Sequence, residues 1–302
     1  MSNHGERLNK ILFFIEEKNQ LESVEKLRKN MGETGKIIEV HLTDYIEEVE
    51  KLDWEVKTGM VAVTDSEQIL DRLVKAGIFT IVMLHEKNQE KDLSAAPYAI
   101  SCIEELEYTS FEQAYLRMAG LPWKITETER CIIRETMVED VDAFYQIYAD
   151  PSITRYMDKL YENPEDEREY TRQYIDKIYG FYGYGMWTVL NRENGQVIGR
   201  AGITWRAGFD IPELGFMIGK AFQRQGYAYE VCRAILDYSK KELGFTQMQT
   251  LVRAGNKASL QLCRKLGFIR QGTVEIQDGE YEQYIMMLGS KGHLFSCLHE
   301  NR

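Results

Sequence analysis

Residues 213–230 read Glu213-Leu-Gly-Phe-Met-Ile-Gly-Lys-Ala-Phe-Gln223-Arg-Gln-Gly226-Tyr-Ala228-Tyr-Glu230, a strand that runs into a glycine turn and then into a helix. Val231, Ile235 and Leu236 give that helix an apolar face. The turn, Arg224, Gln225, Gly226, Tyr227, Ala228 and Tyr229, therefore presents free backbone N–H groups at a helix start, which is an anion site by construction. Gly226 lets the backbone approach phosphates closely, and Ala228 keeps the helix entry small. Further on, the strand Thr250-Leu-Val252 leads into Asn256-Lys-Ala-Ser259-Leu-Gln-Leu-Cys263-Arg-Lys-Leu266-Gly267-Phe268, where Asn256 is placed to cap the helix start and Gly267 its end.

Working outward, the elements between Ile132 and Leu288 arrive as strand, two helices, a run of strands, helix, strand, helix and strands, an α+β order. The first half has a different rhythm. Ile11–Ile15, Ile37–Leu42, Met60–Thr64 and Thr80–Leu84 read as buried strands of a parallel sheet covered on both faces. Leu21, Val24, Leu27 and Met31 recur between them at helical spacing, as do Ile69, Leu73 and Ala76 before Gly77. A helix over Ser110–Ala119 closes at Gly120, and Pro122 with the polar run Lys124–Arg130 marks a linker. The expected organisation is an α/β domain over 1–122, a linker over 123–130, a second domain over 131–290 and a tail over 291–302.

Composition excludes several classes. With 37 Lys and Arg against 48 Asp and Glu, the net charge of -11 has the wrong sign for a chain that coats phosphate backbones, so nucleic acid is not an expected partner. Cys102, Cys131, Cys232, Cys263 and Cys297 form no C-x-x-C pair and read as reduced thiols, with neither a disulfide framework nor a zinc knuckle. The first apolar run is too short to span a membrane or to form a signal core, so a cytoplasmic location away from membranes is expected.

Gln223-x-x-Gly226-x-Ala228 resembles the pyrophosphate-binding pattern of the GNAT superfamily of acyl-CoA N-acyltransferases, and Asn256 to Phe268 resembles that superfamily's second cofactor motif in order, spacing and terminal Leu-Gly-Phe. The likeness covers about Cys131 to Leu288 and is nearest to the branch that acetylates ribosomal-protein N-termini and related amines. It implies a mixed sheet with two splayed strands, here Leu214–Ile218 and Thr250–Val252, gripping the pantetheine arm of acetyl-CoA with no metal. The backbone of Phe216, Met217 and Ile218 would pair with the pantetheine amides and supply one oxyanion donor; Gln223 to Tyr229, Asn256, Ser259 and Cys263 complete the cofactor contacts. Glu213 occupies the position where relatives often carry a general base. Cys263 departs from the pattern, since many relatives place there a tyrosine that protonates the departing thiolate; a cysteine suits core packing, leaving water, Tyr227, Tyr281 or Tyr284 for that proton.

Val61-Ala-Val-Thr-Asp65-Ser66 and its following helix resemble the late part of haloacid-dehalogenase-like phosphatases, which implies a Rossmann-like fold for the first half. That family's nucleophile is an aspartate at the end of the first strand, where this chain has Phe13-Phe14-Ile15-Glu16-Glu17-Lys18; the domain is expected to be non-catalytic, with Asp65 a strand-end or N-cap residue. Gly180-Phe-Tyr-Gly183-Tyr-Gly185 reads as a C-cap and loop, and Gly219-Lys220 lacks the rest of a nucleotide-triphosphate loop. By the same GNAT likeness, the segment Asp150 to Tyr184 would form the acceptor side. Its many tyrosines, with Asp150, Asp158, Glu162, Glu165, Asp166, Glu167 and Glu169, favour a cationic small-molecule or peptide amine. A homodimer is kept open, as is a non-catalytic protein that binds or senses acyl-CoA.

Overall fold

The computed structural model describes residues 7–31, 37–42, 58–276, 279–289 and 298–300. They fall into two compact units that divide between Trp123 and Lys124.

The first unit is a sheet of β1 (Lys10–Ile15), β2 (Ile37–Leu42), β3 (Met60–Thr64), β4 (Thr80–Met83) and β5 (Tyr98–Ile100), all parallel, with α1 (Leu21–Met31), α2 (Glu67–Lys75) and α3 (Tyr108–Met118). Alternation along the strands sorts the core into two layers. Ile11, Phe13, Ile15, Val61 and Val63 pack with α1 and α3, whereas Leu12, Phe14, Met60 and Ala62 pack with Ile69 and Leu73 of α2. Both faces are buried, which is why these strands are continuous apolar runs. These five strands are parallel, as expected, and their spatial order β2-β1-β3-β4-β5 is the flavodoxin-like arrangement.

Of the two roles expected for it, Asp65 takes the strand end and not the helix cap. Ser66 holds the N-cap position of α2, and the fully buried Asp65 carboxylate accepts the backbone N–H of Glu16 (2.6 Å) and Glu17 (2.9 Å), tying the end of β3 to the end of β1.

The second unit is an eight-stranded sheet. Its strands are β6 (Lys124–Glu127), β7 (Cys131–Arg134), β8 (Met186–Asn191), β9 (Val197–Thr204), β10 (Glu213–Ile218), β11 (Gln247–Arg253), β12 (Ile269–Ile276) and β13 (Gly279–Met287). The order β12-β13-β11-β10-β9-β8-β7-β6 is antiparallel throughout except between β10 and β11. Two boundaries differ from the sequence expectation. Lys124–Glu127, read as linker, forms β6 against β7, and Leu298–Glu300, read as tail, forms β14 antiparallel to β5 in the first sheet. Neither stretch has a run of apolar residues; their pairing is set by the partner strand, not by their own pattern.

Helices α4 (Val141–Tyr148), α5 (Pro151–Thr154) and α6 (Pro164–Tyr174) lie between β7 and β8; α6 continues through a π turn to Tyr182 and stops at Gly183, φ +74°. Asp140 locks this entry. Its carboxylate takes both ends of the Arg134 guanidinium (2.7 Å each), the Thr188 hydroxyl (2.7 Å) and the Met137 N–H (2.9 Å). Helices α7 (Tyr227–Lys241) and α8 (Lys257–Leu266) follow β10 and β11. Val231, Cys232, Ile235, Leu236 and Ser239 form the buried stripe of α7.

Candidate active site

Strands β10 and β11 run parallel but share a single register pair, Glu213 with Gln249, where the Gln249 N–H donates to Pro212 O at 2.9 Å. Beyond it they part. Gly219 donates its N–H to Ile198 O (2.8 Å), which fixes the odd-numbered residues of β10 as those bonded to β9. Leu214, Phe216 and Ile218 therefore turn their amides toward β11. The Ile218 carbonyl is taken by the Gln223 side-chain amide (2.9 Å), and the Phe216 amide is left facing the gap. Met217, expected to lend its backbone to a ligand, spends it on Arg200 of β9 and buries its side chain. Gln223 is likewise a brace, since its N–H donates to Lys220 O (3.3 Å) and its side chain holds Ile218.

The turn at the start of α7 is built as expected. Gly226 has φ +89°, and Arg224, at φ +64°, is the non-glycine residue with positive φ among the described residues. No acceptor among the described residues takes the backbone N–H of Arg224, Gln225, Gly226, Tyr227, Ala228 or Tyr229, and Arg224 itself is exposed. Arg130 supports the turn from outside. It donates to Gln225 O (3.0 Å), bonds Glu230 through Nε (2.7 Å) and lies over the Tyr227 ring (4.3 Å). Burial works against the Glu230 carboxylate, yet hydrogen bonds from Thr128 and Arg130 keep its pKa below the usual range, so the brace is an ion pair. Arg130, Gly226, Tyr229, Arg233 and Lys265, together with Glu129 and Glu230, line an open pocket of about 430 Å³. Three cations beside a row of free N–H groups suit a polyanion. A gap edged by an unpaired amide suits an extended arm with amide groups of its own, so together the residues fit the shape and charge of a coenzyme A thioester.

Asn256 caps α8 by accepting the Ser259 N–H (3.2 Å), the local role its residue type predicts, and this occupies the Ser259 donor. Cys263 is fully buried on the inner face of α8, and burial pushes its thiol up to about 11, the setting of a core-packing side chain. Among the described residues no cluster of three or more His, Cys, Asp or Glu could hold a metal, and no helix is long and apolar enough to cross a membrane.

Residues 130–269 match the family described as acetyltransferase (GNAT) domain. The uncharacterized protein YkkB of Bacillus subtilis is 30% identical over 150 residues, 47% of this chain and 84% of that protein. The second half of the chain belongs to the GNAT acetyltransferase family. An uncharacterized N-acetyltransferase of Bacillus subtilis, YoaA, is 28% identical over 50% of this chain and 85% of its own. A solved acetyltransferase from Agrobacterium tumefaciens superposes with a TM-score of 0.47 at 23% identity, covering 53% of this chain and 92% of that one.

Within the GNAT domain, Glu213 is buried, at 6% exposed. Arg206 grips it, Nε to Oε2 at 2.7 Å and Nη2 to Oε1 at 3.3 Å. Of the three tyrosines considered as proton donors, Tyr281 touches this pair, its ring 5.6 Å from the Arg206 guanidinium and 5.3 Å from that of Arg253. Tyr227 is stacked under Arg130, and Tyr284 is buried with its hydroxyl unpaired among the described residues. Sequence reasoning missed Arg206 and Arg130, because neither belongs to a local motif.

Four acidic residues of the expected acceptor segment are spent locally. Glu165 and Glu169 pair with Arg168 and Arg172, Asp150 caps the Ser152 N–H (2.8 Å), and the buried Glu167 accepts the Tyr161 N–H (3.1 Å). The tyrosines do gather. Tyr161, Tyr170, Tyr174 and Tyr179 form a chain of rings with centroids 5.4–6.1 Å apart.

Proposed function

We propose that the GNAT domain is an N-acetyltransferase that moves an acetyl group from acetyl-CoA to a primary amine of a small molecule or peptide. The observation that carries this reading is the joint presence of the splayed β10 and β11, with the Phe216 amide turned into the gap, and of the free N–H row at Arg224 to Tyr229. Acetyl-CoA would supply a thioester with a good leaving group. The chain's part is to hold and polarise. The Arg224–Tyr229 turn and the cations of the adjoining pocket would anchor the diphosphate end. The Phe216 N–H stands where it would donate to the thioester oxygen, stabilising charge as it develops there.

Glu213 is the proposed base. An ammonium must lose a proton before it attacks, and the Oε1 contact to Arg206, the longer of the two, is the one an incoming amine would displace. Arg206 then keeps the carboxylate aimed by its shorter bond. The first unit has no assigned chemistry in this proposal and acts as a structural partner.

The test is release of free CoA from acetyl-CoA across a panel of amines, read beside calorimetric binding of acetyl-CoA. Amine-dependent release supports the reading. Tight binding with no release for any amine overturns it in favour of a non-catalytic acyl-CoA-binding protein.

A further inference from the structure

Arg200, in the middle of β9, is a cation with no carboxylate. The other arginines around it are paired: Arg134 with Asp140, Arg168 with Asp142, Arg206 with Glu213. No ion pair forms at Arg200 among the described residues, and its Nε is buried with no hydrogen-bond partner. Buried charges are ordinarily paired, and an orphaned guanidinium nitrogen calls for an explanation.

The surroundings are those of a binding pocket wall. The guanidinium lies over the Phe144 ring at 4.6 Å. Tyr148, Tyr170 and Tyr174 surround it; burial raises all three phenols, the charge of Arg200 pulls each of them back, and Tyr148 also shares a side-chain hydrogen bond with Arg200, which leaves Nε as the unpartnered nitrogen. Tyr170 is 44% exposed, so this aromatic enclosure opens to solvent. The place in the sheet is equally pointed. Arg200 is registered against Met217, next to Phe216, and Glu213 against Thr204, so residues two apart share one face and Arg200 and Glu213 stand on the same side of the sheet. Between those pairs lies Gly215 against Gly202, two residues without side chains. A Cβ at Gly215 would meet Met186 Sδ at 3.1 Å and one at Gly202 the Gly185 carbonyl at 2.1 Å, so the floor between Arg200 and Glu213 is the Met186 thioether and the Gly185 backbone. Four residue steps along the strand separate Glu213 from Met217, about 13 Å. An amine and a carboxylate on one small molecule span that distance once the two long side chains have taken up their own lengths.

We propose that Arg200 is a specificity residue that receives a carboxylate of the acceptor, so that the amine acetylated by this domain also carries an acid group. Its planar fork matches a carboxylate with two parallel hydrogen bonds, which lysine or an amide cannot reproduce. The proposal rests on the acetyltransferase reading and narrows its acceptor. The same chemistry comes from a free amino acid or from an acidic residue at a peptide N-terminus.

The experiment compares matched acceptors that differ only in the acid group. Tyrosine is set against tyramine, and Glu-Ala-Ala amide against Gln-Ala-Ala amide, with wild type, Arg200→Gln and Arg200→Lys. Wild type is expected to favour the acid-bearing member of one pair by roughly 10–100-fold in kcat/KM, mostly through KM, and the pair that responds identifies the source. Arg200→Gln is expected to erase the preference with the KM for acetyl-CoA unchanged, and Arg200→Lys to retain part of it. Equal use of both members in both pairs, or a preference that survives Arg200→Gln, overturns the proposal. Calorimetric binding of N-acetyltyrosine and N-acetyltyramine needs no turnover and is run in parallel. Should no amine release CoA, the acetyltransferase reading falls, while tighter binding of the acid that is lost in Arg200→Gln still supports the carboxylate site. Equal binding of the two compounds counts against it, and Arg200→Lys serves both measurements if the glutamine variant does not fold.

Discussion

Replacing Gly226 by glutamate puts a negative charge in the nest proposed for the diphosphate. The backbone there is left-handed, φ +89°, and a Cβ would meet nothing closer than Arg130 Nη2 at 3.4 Å, so the side chain fits in space. The left-handed conformation costs an L residue ~1–2 kcal/mol. That strain is present with and without ligand and so lowers stability while leaving affinity alone. The affinity loss comes from charge: a carboxylate about 5 Å from a phosphate, at an effective dielectric near 20, is repelled by ~3 kcal/mol. At about 1.4 kcal/mol per decade this is roughly a hundredfold weaker binding. Gly226→Gln carries the same bulk and strain without the charge, so the difference between the two variants isolates the electrostatic part. The assay is calorimetric titration with acetyl-CoA in about 0.1 M salt, repeated at higher salt, where screening narrows the gap between the variants. A folded Gly226→Glu protein that binds acetyl-CoA within twofold of wild type refutes the placement of the diphosphate at this turn.

Three further outcomes are expected. Glu213→Gln keeps the size and polarity of the side chain but cannot collect a proton, so turnover should fall by ~10²–10⁴ with acetyl-CoA affinity nearly unchanged, whereas Cys263→Ala should leave the rate alone and lower the melting temperature; the reverse pattern in steady-state kinetics would bring the thiol into the mechanism. Asp140→Ala strands the Arg134 guanidinium, which is 15% exposed, and should cost about 3–5 kcal/mol in urea unfolding; a loss under 1 kcal/mol would show the network to be ornamental. The full chain should hydrolyse no generic phosphate ester with Mg²⁺, since no aspartate follows β1; turnover that disappears in Asp65→Asn would give the first unit a chemistry of its own.

What the sequence disclosed was local. Helical spacing and strand-length apolar runs place β1 to β4 and α1 within a residue or so, because both faces of that sheet are buried and every strand residue carries the signal. The Gly226 turn was legible because a positive φ beside a helix start admits few residue types. The Asn256 cap was legible because the side chain bonds three residues ahead. The missed parts all join residues that are distant in the chain or lack a pattern. Arg130 meets Glu230 across 100 residues, and Arg206 reaches Glu213 across a loop with no motif. Strand order in the first sheet depends on how the crossovers run, which periodicity does not encode, and β14 joins that sheet from the far end of the chain.

The same distinction explains why Asp65 invited a functional reading. In a parallel sheet ordered 2-1-3-4-5, the order in which strands are added reverses between β1 and β3, and the crevice outside their carboxyl ends is where such folds accept ligands. Glu16 and Glu17 leave β1 there and Asp65 leaves β3, so a sequence comparison sees acidic residues at strand ends. The geometry shows a different use. The backbone N–H groups of Glu16 and Glu17, the donors best placed to meet an anion in that crevice, are already held by the Asp65 carboxylate, with His85 Nε2 3.3 Å away on the other side. Lys87 and Lys91, the nearby cations, are drawn to Glu17 (2.8 Å) and Glu16 (3.0 Å). Among the described residues, these groups at the switch point are thus satisfied from within the chain. A ligand would have to displace a buried carboxylate to enter, and that physical barrier, more than the missing nucleophile, argues for a structural first unit.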